Sequence, residues 1–263
     1  MLSRKILPVL LLACLFLSII SNIQPSEAAS LFTINADLEK YNNVGCGAYD
    51  SYMDAWYGTG YLAMFPNYVY VTNRRTPTPA PAHPYIFTIY RSFLAFNTSL
   101  LAGLKINWVK LWLKRVGFSN IDSSWILKVQ NWTDGENGLT TDDYSMWDNV
   151  NYDDNKAVLT NWAADGDWNY VKISDPSIIT QNGYTYLCLR CNKDVDQLEP
   201  TDDISRYAFW WQNNATYLPY LEVKVSGKPL ALIPSDSLSL GLPTFFVIIG
   251  LVVLVMKSEE KKA

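Results

Sequence analysis

The chain has 263 residues, a formal net charge of −4 and a sequence pI of about 5.0. This charge balance offers no basic field for phosphates, so nucleic acid is excluded as an expected partner. Charged residues make up 17% and aromatic residues 14% of the sequence, which excludes a solvated, disordered stalk and favours an ordered domain.

The first 29 residues have the pattern of a secretory signal peptide. Arg4 and Lys5 precede an apolar run over Ile6–Ile20. Ser26 and Ala28 then supply small side chains at the positions that a signal peptidase reads. We therefore expect residues 1–29 to be removed and residues 30–226 to form a domain outside the cell.

Most of residues 30–226 show the period-two alternation of strands that bury one face. In Ile106–Arg115, aliphatic residues alternate with Lys110, Trp112 and Lys114. Further strands are predicted at Tyr61–Thr72, Tyr85–Phe96, Trp125–Gln130, Trp168–Ile173, Tyr184–Cys191, Ile204–Gln212 and Tyr220–Val225. Half-buried strands without helical crossovers predict an all-β domain, an antiparallel two-sheet β-sandwich of the jelly-roll kind.

Prolines and a second apolar run organise the rest of the chain. Thr76–Pro84 is predicted to be a stiff loop, because proline cannot donate to a sheet ladder. Residues 227–240 are predicted to be a stalk. Residues 241–256 carry no charge and, at 1.5 Å per residue, span roughly 25 Å, which predicts a single transmembrane helix. Lysines in residues 257–263 indicate a cytoplasmic tail, so the predicted location is the cell membrane with the domain outside.

One stretch of the chain has a family-like order of motifs. Tyr90–Ser99 reads YRSFLAFNTS and is followed by the strand Ile106–Leu113. This order resembles the DNRLRE, disaggregatase-related jelly-roll domains of archaeal and bacterial surface proteins, which carry an Arg-x-Phe-Leu-x-Phe-Asp-Thr-Ser strand and turn. Val129–Trp132, Gly183–Arg190 and Pro219–Val223 resemble later motifs of the same family.

The resemblance implies a fold and a place on the cell surface. Some members of the family are classed as carbohydrate-binding modules, and others are surface or envelope proteins without a defined ligand. The resemblance therefore supports the fold more than any activity. Two positions depart from the family pattern: Asn97 replaces the usual Asp, and Trp108 stands where a small residue is common.

The segment of residues 131–168 combines tryptophans with many carboxylates. Flat aromatic faces bind the C–H surfaces of sugars, while carboxylates and amides bridge sugar hydroxyls. The candidate carbohydrate-binding residues are Trp132, Trp147, Trp162, Trp168, Asp143 and Tyr144. The alternative is structural: large aromatic residues usually pack, and Asp residues make loop turns.

The same acidic segment is a candidate site for structural calcium, which takes six to eight oxygen ligands. The candidate ligands are Asp142, Asp143, Asp165 and Asp167. No EF-hand spacing is present, and solvated loop carboxylates are the alternative interpretation.

Covalent modifications are also predicted for the exported part. Sequons for N-glycosylation begin at Asn97, Asn131 and Asn214. The cysteines Cys46, Cys188 and Cys191 predict one disulfide, from Cys46 to either of the other two, with one thiol left over.

Arg91 and Arg190 lie in otherwise apolar or aromatic strands. A charge in that setting needs a partner, so we expect buried ion pairs or bonds to carbonyls rather than ligand binding.

Together these patterns predict a membrane-anchored surface protein whose non-catalytic domain binds carbohydrate or a neighbouring envelope component. Its expected partners are membrane lipid, through the C-terminal helix, and polysaccharide or surface-layer components. The alternative is a structural envelope subunit with no sugar ligand. A third interpretation is a polysaccharide-degrading enzyme or its accessory module, although the sequence has no Ser-centred elbow, histidine triad or phosphate loop.

Overall fold

The computed structural model describes residues 29–37, 42–49, 51–58, 61–63, 68–137, 139–201, 206–211 and 216–226. These residues form eleven strands, two short α-helices and five single 3-10 turns. Every strand pair among them is antiparallel. The prediction of an all-β fold is therefore confirmed.

The strands are β1 Ser30–Asn35, β2 Asn42–Tyr49, β3 Tyr61–Ala63, β4 Tyr68–Pro77, β5 Tyr85–Asn97, β6 Lys105–Ser119, β7 Leu127–Asn131, β8 Trp168–Ile173, β9 Tyr184–Cys191, β10 Tyr207–Trp211 and β11 Tyr220–Ser226. The helices are α1 Tyr52–Tyr57 and α2 Asn192–Val195. The 3-10 turns are Ser99–Leu101, Gly135–Asn137, Asp142–Ser145, Leu159–Asn161 and Pro176–Ile178.

β6 connects two halves of the sheet. One half consists of β1, β11, β6 and β8, and the other consists of β10, β4, β5, β2, β3, β9 and β7. One edge of β6 pairs with β11 along its first part and with β10 at its end, while the other edge pairs with β8. Register shifts interrupt both the β6–β11 and the β6–β10 ladders, and such bulges bend and twist a strand. As a result, the described strands form one continuous curled sheet that runs from β1 through β6 to β5, β2 and β3, with β9 and β7 added beside β5.

Aliphatic side chains from both halves of the sheet meet in one main core. Leu111, Val171 and Val223 contribute from the half that contains β1, β11, β6 and β8. Leu94 and Leu187 contribute from β5 and β9 in the other half. Each such side chain stabilises the fold by about 1.5–3 kcal/mol relative to exposure.

A smaller core lies on the opposite side of β5 and β9. Phe93 and Cys188 are direct partners in the β5–β9 ladder and pack there with Trp56 of α1. Ser51 caps the N-terminus of this helix, and its hydroxyl accepts a hydrogen bond from the backbone N–H of Asp54 at 3.1 Å. α1 therefore covers the side of the sheet that faces away from the main core.

The predicted disulfide does not form. Cys188 and Cys191 point to opposite faces of β9, so Cys188 packs in the smaller core and Cys191 in the main core. No disulfide joins Cys46 to either of them. Burial raises the pKa of Cys188 and of Cys191 to about 12, which keeps both thiols protonated and unreactive.

The proline-rich segment is partly a strand. β4 continues to Pro77, which pairs with Tyr85, and the loop comprises only the residues between them. Pro77 is tolerated there because it is the last residue of the strand, where no further ladder bond is required of it.

The predicted signal peptide up to residue 28, and the predicted stalk, membrane helix and tail, lie outside the described residues. Within the described ranges, no helix has the length and apolar character needed to cross a bilayer.

Candidate functional site

Three of the predicted sugar-binding residues lie in the interior. Trp132 is 1% exposed and donates its indole N–H to Asp143, which also accepts from the hydroxyl of Thr140 at 3.1 Å. Tyr144 is buried and donates its hydroxyl to the carbonyl of Ala55 at 2.7 Å. Trp132, Asp143 and Tyr144 therefore hold their loop against α1 and present no ring face or carboxylate to a sugar.

Trp147 belongs to a buried charged cluster. Its ring centroid lies 4.2 Å from the guanidinium carbons of both Arg91 and Arg190. Arg91 donates Nε and Nη2 to the carboxylate of Asp194 at 2.8 and 2.7 Å, and Arg190 donates the same two groups at 2.7 and 2.9 Å. Arg190 also donates to the side-chain oxygen of Gln130 at 2.9 Å. One carboxylate thus accepts four charge-assisted hydrogen bonds.

This cluster confirms the predicted ion pairing of Arg91 and Arg190. Burial alone would raise the pKa of Asp194, but the charges and hydrogen bonds of Arg190 and Arg91 lower that pKa well below its usual range. All three side chains are at most 1% exposed. The cluster therefore stabilises the interior and is closed to a ligand.

The last two predicted tryptophans, Trp162 and Trp168, lie near a solvent-facing side of the sheet. Trp162 is mostly buried, and its ring packs against Trp210 and Phe118 with centroid distances of 5.5 and 5.9 Å. Trp168 is half-buried on β8. Trp147 is also half-buried, and its indole N–H donates to the exposed side chain of Asn149 at 2.6 Å, but its ring covers the buried arginines. Trp168 lies on the outward side of a strand, because its neighbours Val171 and Ile173 point inward.

The outward sides of β11, β6 and β8 form one surface, which we call the aromatic–lysine face. Leu111 points inward, so its neighbour Trp112 points outward between its strand partners Tyr220 and Tyr170. With Tyr217, which precedes β11, the face consists of Trp108, Lys110, Trp112, Lys114, Trp168, Tyr170, Lys172, Tyr217, Tyr220, Glu222 and Lys224.

The aromatic rings of this face contact one another across three strands. Trp112 and Tyr220 are nearly parallel, with an interplanar angle of 13° and centroids 5.9 Å apart. Tyr170 lies 5.0 Å from Trp112 on its other side, and Trp168 packs against Tyr220 at 5.1 Å. Tyr170 is 46% exposed, while the other three rings are half-buried. The rings are thus fixed by their neighbours and still reachable from solvent, which lowers the entropy lost on binding.

Lysine ammonium groups lie among these rings. The Nζ of Lys110 is 4.5 Å from the ring centroid of Tyr170 and 3.6 Å from the carboxylate of Glu222. The Nζ of Lys114 is 3.6 Å from the ring centroid of Tyr217. Cation–π contacts of this kind contribute about 0.5–1 kcal/mol at exposed sites and hold the charge over the ring.

Glu222 orders the centre of the face. Its carboxylate accepts the indole N–H of Trp112 at 2.9 Å. Burial and the charge of Glu222 raise the pKa of Tyr220, so that phenol remains a neutral hydrogen-bond donor.

Two shallow clefts open on the aromatic–lysine face. One, of about 390 Å³, is bounded by Trp168, Tyr170 and the edge of Trp162. The other, of about 620 Å³, is bounded by Trp108, and Lys172 borders both clefts. The flat ring surface therefore has concave borders that could hold a chain-like ligand in place.

The predicted calcium ligands Asp142, Asp143, Asp165 and Asp167 lie in two different loops. Asp143 is engaged by Trp132, as described above, and Asp165 lies 2.7 Å from the Nε of Arg115. Within the part of the chain that the structure describes, no group of three or more His, Cys, Asp or Glu side chains is placed to hold a metal ion.

The predicted glycosylation sites differ in accessibility. Asn97 is exposed at the end of β5, where its side-chain oxygen accepts from the hydroxyl of Ser99 at 2.7 Å. Asn131 is half-buried at the end of β7. Asn214 lies outside the described residues.

The sequence analysis did not select Trp112, Tyr170 or Tyr220 as binding residues. The signal that could have found them is the alternation itself. When the inward positions of a strand are aliphatic, aromatic residues at the outward positions remain accessible unless another layer covers them.

Comparison of the sequence with known family models gives no match, and comparison with curated proteins also gives none. The resemblance to DNRLRE domains therefore depends on its short motifs, and the function of the aromatic–lysine face depends on its geometry.

Proposed function

We propose that this chain is a non-catalytic cell-surface protein that binds polysaccharide through its aromatic–lysine face. The observation that carries the proposal is the row formed by Tyr220, Trp112 and Tyr170, whose rings lie side by side on the outward side of the sheet. A monomeric domain that exposes a connected aromatic surface commonly uses it for binding.

The chemistry of the face suits a sugar chain. Sugar rings present C–H groups on their faces, which pack against aromatic rings, and hydroxyls at their edges, which need hydrogen-bond partners. Neighbouring strands are about 4.8 Å apart, so rings on three adjacent strands can contact successive parts of an extended chain. Glu222 and Asn107 supply polar atoms beside the rings.

The proposed location is the outer side of the cell membrane, in a single-pass arrangement. The support for it is in the sequence: the signal-like residues 1–29 and the uncharged apolar residues 241–256. In this proposal the C-terminal helix contacts membrane lipid, and the tail is cytoplasmic.

The proposed architecture is a jelly-roll sandwich, in which the two halves joined by β6 act as the two layers. The main core, to which both halves contribute, supports this proposal. One layer then presents the aromatic–lysine face, and the other presents the side that α1 covers.

The test is a comparison of two exposed tyrosines. The full chain, purified in a mild detergent, is screened on immobilised neutral and acidic polysaccharides, and the dissociation constant for the strongest binder is measured for two variants. Tyr170→Ala removes the most exposed ring of the face and is expected to weaken binding by about 1–2 kcal/mol, roughly five- to thirtyfold in Kd. Tyr57→Ala, at a tyrosine that is 67% exposed on α1, is expected to leave the Kd unchanged.

If both variants bind as the wild-type chain does, the polysaccharide contacts another surface and the proposed face is refuted. If the chain binds none of the polysaccharides and self-associates instead, the protein is a structural envelope subunit without a sugar ligand.

A further inference from the structure

We infer that the polysaccharide bound by the aromatic–lysine face is anionic, with carboxylate groups along its chain. This inference depends on the proposed function, because it names the ligand class of the same face.

The face has the opposite charge to the chain as a whole. It carries the lysines Lys110, Lys114, Lys172 and Lys224 and the single acid Glu222, and four lysines less one glutamate leave three excess positive charges. The whole chain has a net charge of −4. A local positive field on an acidic protein attracts negatively charged partners.

Most of this positive charge is not neutralised by carboxylates in the part of the chain that the structure describes. Lys110 lies near Glu222, at 3.6 Å. Among the described residues, no carboxylate lies within salt-bridge distance of Lys114, Lys172 or Lys224. Each of these three ammonium groups can therefore pair with an external anion without first breaking an ion pair to a described carboxylate.

The positions of the lysines alternate with those of the rings. Along β6, Lys110 and Lys114 flank Trp112, and on β8 Lys172 follows Tyr170 on the same side of the strand. Side chains two positions apart on a strand are separated by roughly 6.5–7 Å. A ligand that matches this pattern presents flat apolar surface and negative charge in alternation, as a chain of sugar acids does.

The ring geometry favours such a chain over an anionic membrane surface. Interfacial proteins insert protruding aromatic side chains among lipid head groups. Here Trp112, Trp168 and Tyr220 are half-buried and packed against one another, so they form a flat surface rather than a protrusion. Lipid head groups are therefore the competing ligand that the experiment has to separate.

The experiment measures binding of the full chain, in a mild detergent, to polygalacturonate and to the same polymer after complete methyl esterification. Esterification keeps the sugar backbone and removes the charge. We expect polygalacturonate to bind at least tenfold more tightly, and we expect that difference to shrink as salt is raised from about 0.1 M to about 1 M, where the screening length falls from about 10 Å to about 3 Å.

The double variant Lys114→Gln/Lys172→Gln is expected to weaken binding to polygalacturonate by about tenfold and to leave binding to the esterified polymer unchanged. Lys193→Gln, on α2, is the matched control and is expected to change neither. Equal melting temperatures of the wild-type chain, the double variant and the Lys193→Gln control show that both variants are folded.

Three outcomes overturn the inference. Equal affinity for the charged and esterified polymers means that the face binds neutral polysaccharide, so the proposed function stands and the ligand class is wrong. Binding to neither polymer, nor to any other polysaccharide, refutes the proposed function as well. Tighter binding to mixed micelles that contain phosphatidylglycerol, lost in the same lysine variant, makes the face a membrane-contact surface.

Discussion

Asp194 is the residue on which two buried positive charges depend. It lies in α2, four positions after Arg190 of β9, and also binds Arg91 of β5, and all three side chains are buried. Because a buried guanidinium without a counter-charge pays a large desolvation cost, loss of the carboxylate should be far more damaging than loss of an exposed ion pair.

Asp194→Asn is therefore expected to lower the free energy of unfolding by about 3–5 kcal/mol, because the amide cannot compensate two guanidinium charges. Asp196→Asn is the matched control, since Asp196 is exposed and close by in the sequence; it should change the free energy of unfolding by no more than about 0.5 kcal/mol. Both are measured by denaturant unfolding followed by tryptophan fluorescence. Equal stability of the two variants would show that the arginines do not depend on Asp194.

Part of this cluster is predictable from the sequence. Arg91 and Arg190 need buried partners, because charged side chains in apolar strands are costly. Asp194 is not identifiable as that partner from the sequence, because it is 103 positions away from Arg91 and lies in a four-residue helix with no sequence signal of burial. The partner is fixed only when β5 and β9 pair.

At the scale of elements, one glycine determines how closely a loop approaches the sheet. Gly135, in the turn Gly135–Asn137, lies against the ring of Tyr186 on β9, and a Cβ at this position would be 2.2 Å from a ring carbon and 2.8 Å from the Cβ of Tyr186. Tyr186 in turn packs against Trp132 with centroids 5.4 Å apart. Any side chain at Gly135 would therefore displace the edge of the smaller core.

We expect Gly135→Ala to destabilise the fold by about 1–3 kcal/mol through this overlap. The control is Gly183→Ala, because a Cβ at Gly183 meets no atom within 4 Å; its effect should stay within about 0.5 kcal/mol. Thermal unfolding of the two variants provides the comparison. A melting temperature for Gly135→Ala that equals that of the control would mean that the loop can move away from β9 at no cost.

The strands were predictable to the extent that aliphatic residues recur at every second position. β8 has the predicted bounds, and its buried and accessible residues alternate. β9 also has the predicted bounds, because Leu187 and Leu189 recur with that period, although both faces of this strand are buried. β2 and α1 were not predicted. β2 contains Gly45, and the ring of Tyr90 lies where a side chain at this position would be. The strand therefore has little alternation of apolar and polar residues. In α1 the available signal was the pair Ser51 and Asp54 at capping distance, which is weak in a six-residue helix.

At the scale of the whole molecule, the curled sheet separates two kinds of surface. One side of the β6 half faces the main core, and the other carries the aromatic–lysine face with its local positive charge on an acidic chain. The alternation in β6 predicts that Lys110, Trp112 and Lys114 point the same way. It does not predict that β8 and β11 flank β6, because those pairings bring together residues that are distant in the sequence. Trp112 and Glu222, for example, are 110 positions apart.

The residues predicted from the tryptophan and aspartate content illustrate the same limit. Trp132 and Trp168 are similar in sequence surroundings, yet Trp132 is buried beside Asp143 and Trp168 lies on the outward side of β8. Composition can indicate that aromatic and acidic residues are abundant. Whether each of these residues is buried or accessible depends on the sheet register and on the loops, which cover one side of the sheet and leave the other side open.

The most direct test of the central claim is a lysine footprint of the full chain. The protein is acetylated briefly with and without polygalacturonate, and the modification of each lysine is quantified by mass spectrometry. We expect the polysaccharide to protect Lys114, Lys172 and Lys224 and to leave Lys193 as reactive as before. Protection of Lys193 alone, or equal reactivity of all lysines in a sample shown to contain bound polysaccharide, would place the ligand elsewhere and refute binding at the aromatic–lysine face.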